Sequence, residues 1–552
     1  MNFKECISQL NPNHLKTITE TYGIVIIPFA SQHARDKLFE YSNKPNFFKE
    51  CLEYLSPEQK KSLFLINFFA DYLPAPIINQ FVEQSVPCQK IFETITVLLN
   101  AGFIFHIINT DTDDSHYIVP DELRTLLHSI VANNRALLFP AESIAPSRIH
   151  AEHGSFILGV FAVLIAGLKD ELRFNMDKTL NKRVINKLSN QLCVIADSLG
   201  EDTLSAYCNA LLAYVTSLDL ITLRDLKPLF RIKPINAWVN LSYTAKQASF
   251  LNFIITSYDA NYSWRSMMRF MAEMKEETFY PITALAELYK SFFKGDNFSE
   301  DTFYRKPLSY FPVFILHQLD IIEIGSSDLD TFCAWKITDS GMCLVKGIIP
   351  EAGEPQYDNR IIIQPNFELI ISRDADPRIL WKLYLAADIH QCDFLMRFHF
   401  NRHSVHRGLS QELAQPDIFS ILESNTDQPI PQNVLYSLTE WCEEYGSVYF
   451  MDVFLLRCKT AQLAEQISLH PKTRDYIKGS FSDTDLIISR EDYQDVFDIL
   501  HSLDLMPLRK IRKPDAKSTE NIPDFLIDNN YVLRPVSQYN GQSLKFIPGI
   551  II

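Results

Sequence analysis

Apolar residues recur at helical spacing along most of this chain, and only 16 glycines interrupt its 552 residues. Together these predict a mainly helical protein with short strands. The length exceeds what one hydrophobic core usually supports, so about two to four domains are expected. A composition of 47% hydrophobic and 22% charged residues suits a folded chain with a large core.

A first module lies between Ser56 and Val119. Ser56-Pro57-Glu58-Gln59 combines a cap, a first-turn proline and the residue that completes a capping box, so a helix starts there. Its apolar positions are Leu63, Ile66 and Phe69. A second helix is expected near Ala75 to Glu83, and a third over Cys88 to Asn100, stopped by Gly102. Phe103 to Ile108 suits a strand, and after the turn Asn109 to Ser115 the chain returns along His116 to Val119. Three helices and then a hairpin is the winged-helix order. The third helix of such a module ordinarily enters the DNA major groove, yet here it offers Lys90 beside Glu93, and the wing carries Asp111, Asp113 and Asp114. Those carboxylates repel phosphates, so a structural or protein-binding module is expected.

A second unit begins at Gly159 with the apolar helix around Val160 to Ile165, followed by a strand-like Glu171 to Asn175. The helix Leu180 to Leu188 then alternates an apolar face with a basic one. Lys178, Lys182, Arg183 and Lys187 lie at its entry and along one exposed side, as on a recognition helix that contacts DNA. An ordinary solvated helix face explains the same charges. A third unit spans Lys306 to Gly347, with a helix at Pro312 to Leu319 and strands at Ile321 to Gly325 and Ala334 to Thr338. Residues 205 to 300 form an aromatic-rich helical region. Glu351 to Pro355 reads as a linker.

Beyond that linker the sequence becomes more specific. Ile361 to Leu369 reads as a buried strand carrying Gln364-Pro365-Asn366-Phe367-Glu368. Phe398 to Leu409 follows as a strand and a helix start that includes Ser404 and Gly408. Next come Pro429-Ile430-Pro431-Gln432-Asn433-Val434, then Trp441, Gly446 and Leu455-Leu456-Arg457. These blocks, in this order, resemble the accessory domain at the N-terminus of XPB-type DNA helicases, over about Arg360 to Arg509. The winged-helix half resembles, more loosely, bacterial proteins that place such modules before this domain. The resemblance implies a role beside DNA-repair and transcription helicases, in contact with partner proteins and next to a DNA-handling motor.

No motor is legible in the chain. A helicase holds ATP phosphates with G-x-x-x-x-G-K-[ST], and the one spacing match, Gly154 to Gly159, is followed by Val160 and Phe161. No D-E-x-H or D-E-x-D box follows an apolar strand either. A non-enzyme with no catalytic residue, cofactor or metal is therefore expected. His399, His403 and His406, near His390 and Cys392, invite a metal reading, but the resemblance puts His399 on a strand and the others at a helix start, which breaks the ligand geometry. Arg397, Arg402, His403 and Arg407 form a basic edge suited to phosphate or to an acidic partner, or simply a solvated, partly ion-paired edge. Asp515-Ala516-Lys517 matches half of a nuclease D-x-K site but falls in a polar tail, Leu508 to Thr519, and reads as linker. Arg509, Lys510, Arg512, Lys513 and Lys517 make that tail the densest basic run, an arm able to touch DNA.

The net charge of −15 argues against general coating of phosphates, so any DNA contact must use local basic patches. Ten cysteines without a C-x-x-C pair suit reduced thiols in a cytosol. The polar start Met1 to Glu5 speaks against a secretory signal, and Phe156 to Leu168 is shorter than the roughly 20 residues a membrane span needs. The expectation is an α+β, mainly helical protein: a helical segment at 1–48, winged-helix-like modules at 49–150, 151–300 (with a helical region) and 301–350, an XPB N-terminal-like α/β accessory domain at 356–510, and a basic linker and tail at 511–552. It would be cytoplasmic or nucleoid-associated, with no membrane partner. Its DNA surface would use Lys178, Lys182, Arg183, Lys187, Arg397, Arg402 and Arg407, and its family motif Gln364, Pro365, Asn366, Glu368, Ser404, Gly408, Pro431, Gln432, Asn433 and Trp441. The alternative is a scaffold that docks on a separate helicase or other DNA-processing protein without touching DNA.

Overall fold

The capping box read at Ser56 forms: its hydroxyl accepts from the Gln59 amide at 3.2 Å, and the Gln59 side chain accepts from the Ser56 amide at 2.9 Å. In a computed structural model the chain is described over residues 1–511, apart from 27–29, 45, 86–90, 109–114, 135–138, 140–144, 151–154, 190, 193–199, 225–226, 260–261, 294–297, 329–330, 349–354, 394, 449–452 and 509–510. Lys90, the wing acids Asp111, Asp113 and Asp114, Gly154, most of the linker after Pro350, and the tail residues Arg509, Lys510, Arg512, Lys513, Asp515 and Lys517 lie outside the described residues.

The protein is α+β and mainly helical, and its sheets are small and antiparallel. It divides into two compact units, the first ending at Cys442 and the second starting at Glu443.

In the first unit the helices Pro57–Phe69, Ala75–Ser85 and Ile91–Asn100 precede a hairpin of Phe105–Ile108 and Ser115–Ile118. Gly102 ends the third helix with φ +65°, and the Phe103 amide reaches back to the Leu98 carbonyl at 3.0 Å. A left-handed residue of this kind is what closes a helix end, and glycine adopts it without strain. A second succession follows: Ser155–Leu168, Lys182–Ser189 and Glu201–Ser217, then a hairpin of Ile221–Arg224 and Lys227–Phe230 that the sequence reading passed over. In place of a strand at Glu171 to Asn175 there is one bridge, Phe174 to Leu180, around a tight turn.

The helix Ser155–Leu168 is apolar on all sides because it is buried on all sides. Its Phe161 ring lies 5.2 Å from Trp381, 5.5 Å from Tyr384 and 6.2 Å from Trp238. One helix thus joins the N-terminal helices to the region after the linker, and burying a phenylalanine there contributes about 2 kcal/mol. The expected strands near 321 and 334 form as Ile322–Ser326 and Phe332–Ile337, in a four-stranded sheet completed by Arg148–His150 and Tyr280–Pro281. Segments more than a hundred residues apart therefore share this sheet.

The last part of the first unit is a four-stranded antiparallel sheet ordered Asp388–Cys392, Leu395–His399, Glu368–Ser372, Ile361–Ile363. Helices Pro377–Ala386 and Arg402–Ser410 pack together beside it. The stretch read as one strand from Ile361 to Leu369 is two strands with a turn between them. Pro365 has no amide to give a ladder, and Phe367 takes φ +68°.

The second unit pairs strands in the order Phe454–Arg457, Asp485–Ile488, Ile477–Ser482. Helices Ala461–Leu469 and Tyr493–Ser502 supply Ala464, Ile467, Val496 and Leu500 to its small core, where they meet Leu486 and Ile488.

Among the described residues no helix is long and apolar enough to cross a membrane. Among the described residues seven cysteines are free thiols, whereas Cys392 is disulfide-bonded, so the expectation of reduced thiols does not hold at that position.

Candidate functional site

The motif residues converge, and what they build is a braced turn. The Phe367 amide donates to the Gln364 carbonyl at 3.1 Å and the Gln364 amide to the Glu368 carbonyl at 2.8 Å. The Asn366 side chain accepts from the Glu368 amide at 3.2 Å. From the distant P-x-P-Q-N-V block, the Asn433 amide group donates to the Pro365 carbonyl at 2.7 Å. The Trp441 ring lies against Phe367 with centroids 5.4 Å apart, and the His406 ring sits 2.8 Å from the Trp441 carbonyl oxygen. Pro431 precedes the helix Gln432–Glu444, with its carbonyl accepting from Leu435, and Gln432 opens that helix.

The helix Arg402–Ser410 starts from an N-cap at Asn401. The Asn401 side chain accepts from the Ser404 amide at 2.9 Å, and the Ser404 hydroxyl accepts from the Asn401 amide at 3.1 Å. Gly408 lets this helix approach its neighbour closely: a Cβ there would stand 3.2 Å from the Ala386 Cα.

Under that helix start lies the most connected charge of the region. Asp388 accepts from Lys169 at 2.7 Å and Arg407 at 2.9 Å through one oxygen, and from Asn401 at 2.9 Å through the other. Burial alone would raise this carboxyl. The hydrogen bonds from Lys169 and Asn401 and the charge of Arg407 outweigh that and hold it well below the usual carboxylate range. Arg407 also donates to the carbonyls of Leu385 at 3.2 Å and Ala387 at 2.9 Å. Its guanidinium ties strand, helix and carboxylate together, with the side chain only 16% exposed. Sequence reasoning missed Asp388 and Lys169. Only Asn401, three residues before Ser404, carried a local signal, as a helix cap.

The remaining cations take several positions. Lys178 sits exposed in the turn before the helix Lys182–Ser189, with φ +67°. Lys182 pairs with Glu201 at 2.7 Å, both side chains more than 70% exposed, and Lys187 pairs with Glu171 at 2.6 Å. Arg183 and Arg402 are exposed, and Arg397 pairs with Glu368 at 3.3 Å. The helix directly before the second hairpin is Glu201–Ser217, which opens with Glu201 and Asp202. Lys182, Lys187, Arg397 and Arg407 therefore each have a carboxylate within reach. His399 lies on a strand and His403 and His406 on the following helix, and among the described residues no three His, Cys, Asp or Glu side chains gather as metal ligands do. Gly159 is inside the buried helix against Leu211 and Tyr207, where a phosphate has no access.

These contacts define an antiparallel α+β module held together by its own signature residues. Residues 361–479 match the family model described as helicase conserved C-terminal domain, which links this part of the chain to helicases. The match supports the helicase connection that the motif blocks imply, under the description of a C-terminal domain. A search of curated proteins gives no match.

Proposed function

We propose that this is a non-catalytic accessory protein of the helicase-associated kind, working in DNA repair or transcription by docking on a separate DNA-processing motor. Residues 356–510 would be its XPB N-terminal-like recognition part, and the two successions of three helices and a hairpin its winged-helix-like modules. The observation that carries this reading is the use to which the motif is put. Asn433, Trp441, Asn401, Ser404 and Gly408 all brace turns and helix contacts. Such a motif preserves a shape for a partner. The acidic total charge and the paired cations favour protein contact over phosphate contact.

The direct test is purification of the tagged full chain from its native cells, with mass spectrometry of what accompanies it. A helicase or another DNA-processing ATPase at near-equal amount is expected. Recovery of the chain with no DNA-processing protein would overturn the reading.

Direct DNA binding is the second reading, favoured by one cluster. Lys178, Lys182 and Arg183 lie within six residues of one another, all exposed, at a turn and the first turn of the next helix. The Lys182–Glu201 pair is exposed enough for phosphate to displace it. Fluorescence anisotropy with a labelled duplex would then show binding that weakens steeply with salt and is lost in Lys182→Glu/Arg183→Glu. No binding at low salt would remove this reading and leave the docking role intact.

A further inference from the structure

A cavity of about 470 Å³ opens in the first unit where the helix starts near Tyr243, Asp339 and Pro377 come together. Ile157, Leu158, Pro377 and Leu380 are among its walls, and most of its lining is apolar. Its size lies within the range of small-molecule sites, which pair apolar walls with a few polar groups that fix orientation.

The charge of the lining selects the ligand. Among its residues are the carboxylates of Asp320, Asp339 and Asp374 against a single guanidinium, Arg373, which is itself 3.9 Å from Asp374. Helix starts ordinarily attract anions through their unbonded amides. At each of these starts a side chain takes one of those amides. Ser242 accepts from the Ala245 amide at 3.2 Å, Thr338 from Gly341 at 2.8 Å, and Asp376 from Arg378 at 2.8 Å. The formal side-chain charge of the described lining, three aspartates against one arginine, is negative.

We propose that this cavity binds a small organic amine, with the ammonium at the Asp339 and Asp374 rim and an apolar body against Ile157, Leu158 and Leu380. A primary alkylamine of about six carbons matches the proposed combination of charge and apolar contact. The site is separate from the motif-braced turn, and its occupation does not depend on the docking role proposed above.

Isothermal titration of the full chain with hexylammonium, beside hexanesulfonate as the anionic counterpart of the same length, tests this. Saturable binding of hexylammonium with a Kd of about 1 mM or below is expected, and none of the sulfonate. In Asp339→Asn/Asp374→Asn, both exposed positions, the amine should bind about tenfold more weakly while the thermal midpoint of the free protein stays unchanged. Cys343→Phe, which narrows the cavity from a half-buried lining position, should abolish the heat. Absence of saturable hexylammonium binding, equal binding of hexanesulfonate, or an unchanged Kd in the double variant would each overturn the proposal. If a variant fails to fold, the comparison of amine with sulfonate on the unaltered chain still decides.

Discussion

Lys169 and Asp388, 219 positions apart in sequence, meet at 2.7 Å. Lys169 follows the end of the buried helix Ser155–Leu168, and Asp388 begins an edge strand of the sheet that carries the Gln364 to Glu368 turn. Their contact joins the N-terminal helices to the motif-bearing region at the point where Arg407 and Asn401 also converge.

That junction makes stability depend on pH. Asp388 is held below its ordinary value in the fold, so its contribution is full above the unfolded carboxyl value, about 3.9, and is lost as pH falls through the folded value. Asp388→Asn is expected to lower the unfolding free energy by about 3 kcal/mol near neutrality, because Lys169 and Arg407 keep their charge without the carboxylate that balances it. Urea titrations should show this difference shrinking below about pH 4. A difference that stays constant across that range would mean the carboxylate is not held by these donors.

Tyr384 makes the opposite case. Its ring is fully buried against Phe161 and Phe398, and its hydroxyl meets no hydrogen-bond partner among the described residues, while burial pushes its ionisation far up. Removing an unbonded buried hydroxyl relieves a desolvation penalty, so Tyr384→Phe should leave stability unchanged or raise it by up to about 1 kcal/mol. Tyr384→Ala should cost about 3 kcal/mol or more through the cavity it leaves. Thermal unfolding of the two variants checks both signs.

Gly408 is the tightest of the motif positions. The Ala386 backbone and Leu413 stand 3.2 Å from where its Cβ would be, so Gly408→Val overpacks the helix contact and should destabilise by about 2 kcal/mol. Circular dichroism melts of this variant beside Gly446→Val separate close packing from backbone strain. Gly446 has φ +79° and no neighbour within 4 Å, so its substitution strains only the local backbone.

What the sequence made legible was local. The Ser56 and Gln59 capping box, the stop at Gly102 and the strand-then-helix reading from Phe398 to Leu409 each depend on residues within a few positions of one another, and each is formed. What it hid was nonlocal. Nothing near Arg407 announced that its guanidinium would face inward onto Asp388, and an arginine on a helix reads as solvated until its partner strand is known. The Q-P-N-F-E turn was hidden by the apolar run Ile361 to Ile363, which suits a strand, while Pro365 and Asn366 carried the turn signal that a continuous strand cannot accommodate. The strand Arg148–His150, which completes a sheet with Ile322–Ser326, is too short to show any period.

The central claim, an accessory protein without a motor of its own, is tested most directly by DNA-stimulated ATP hydrolysis, measured on the complex purified from native cells and on the chain purified alone. The account predicts hydrolysis by the complex and none by the chain alone. Hydrolysis by the isolated chain, or a complex that hydrolyses nothing, would contradict it.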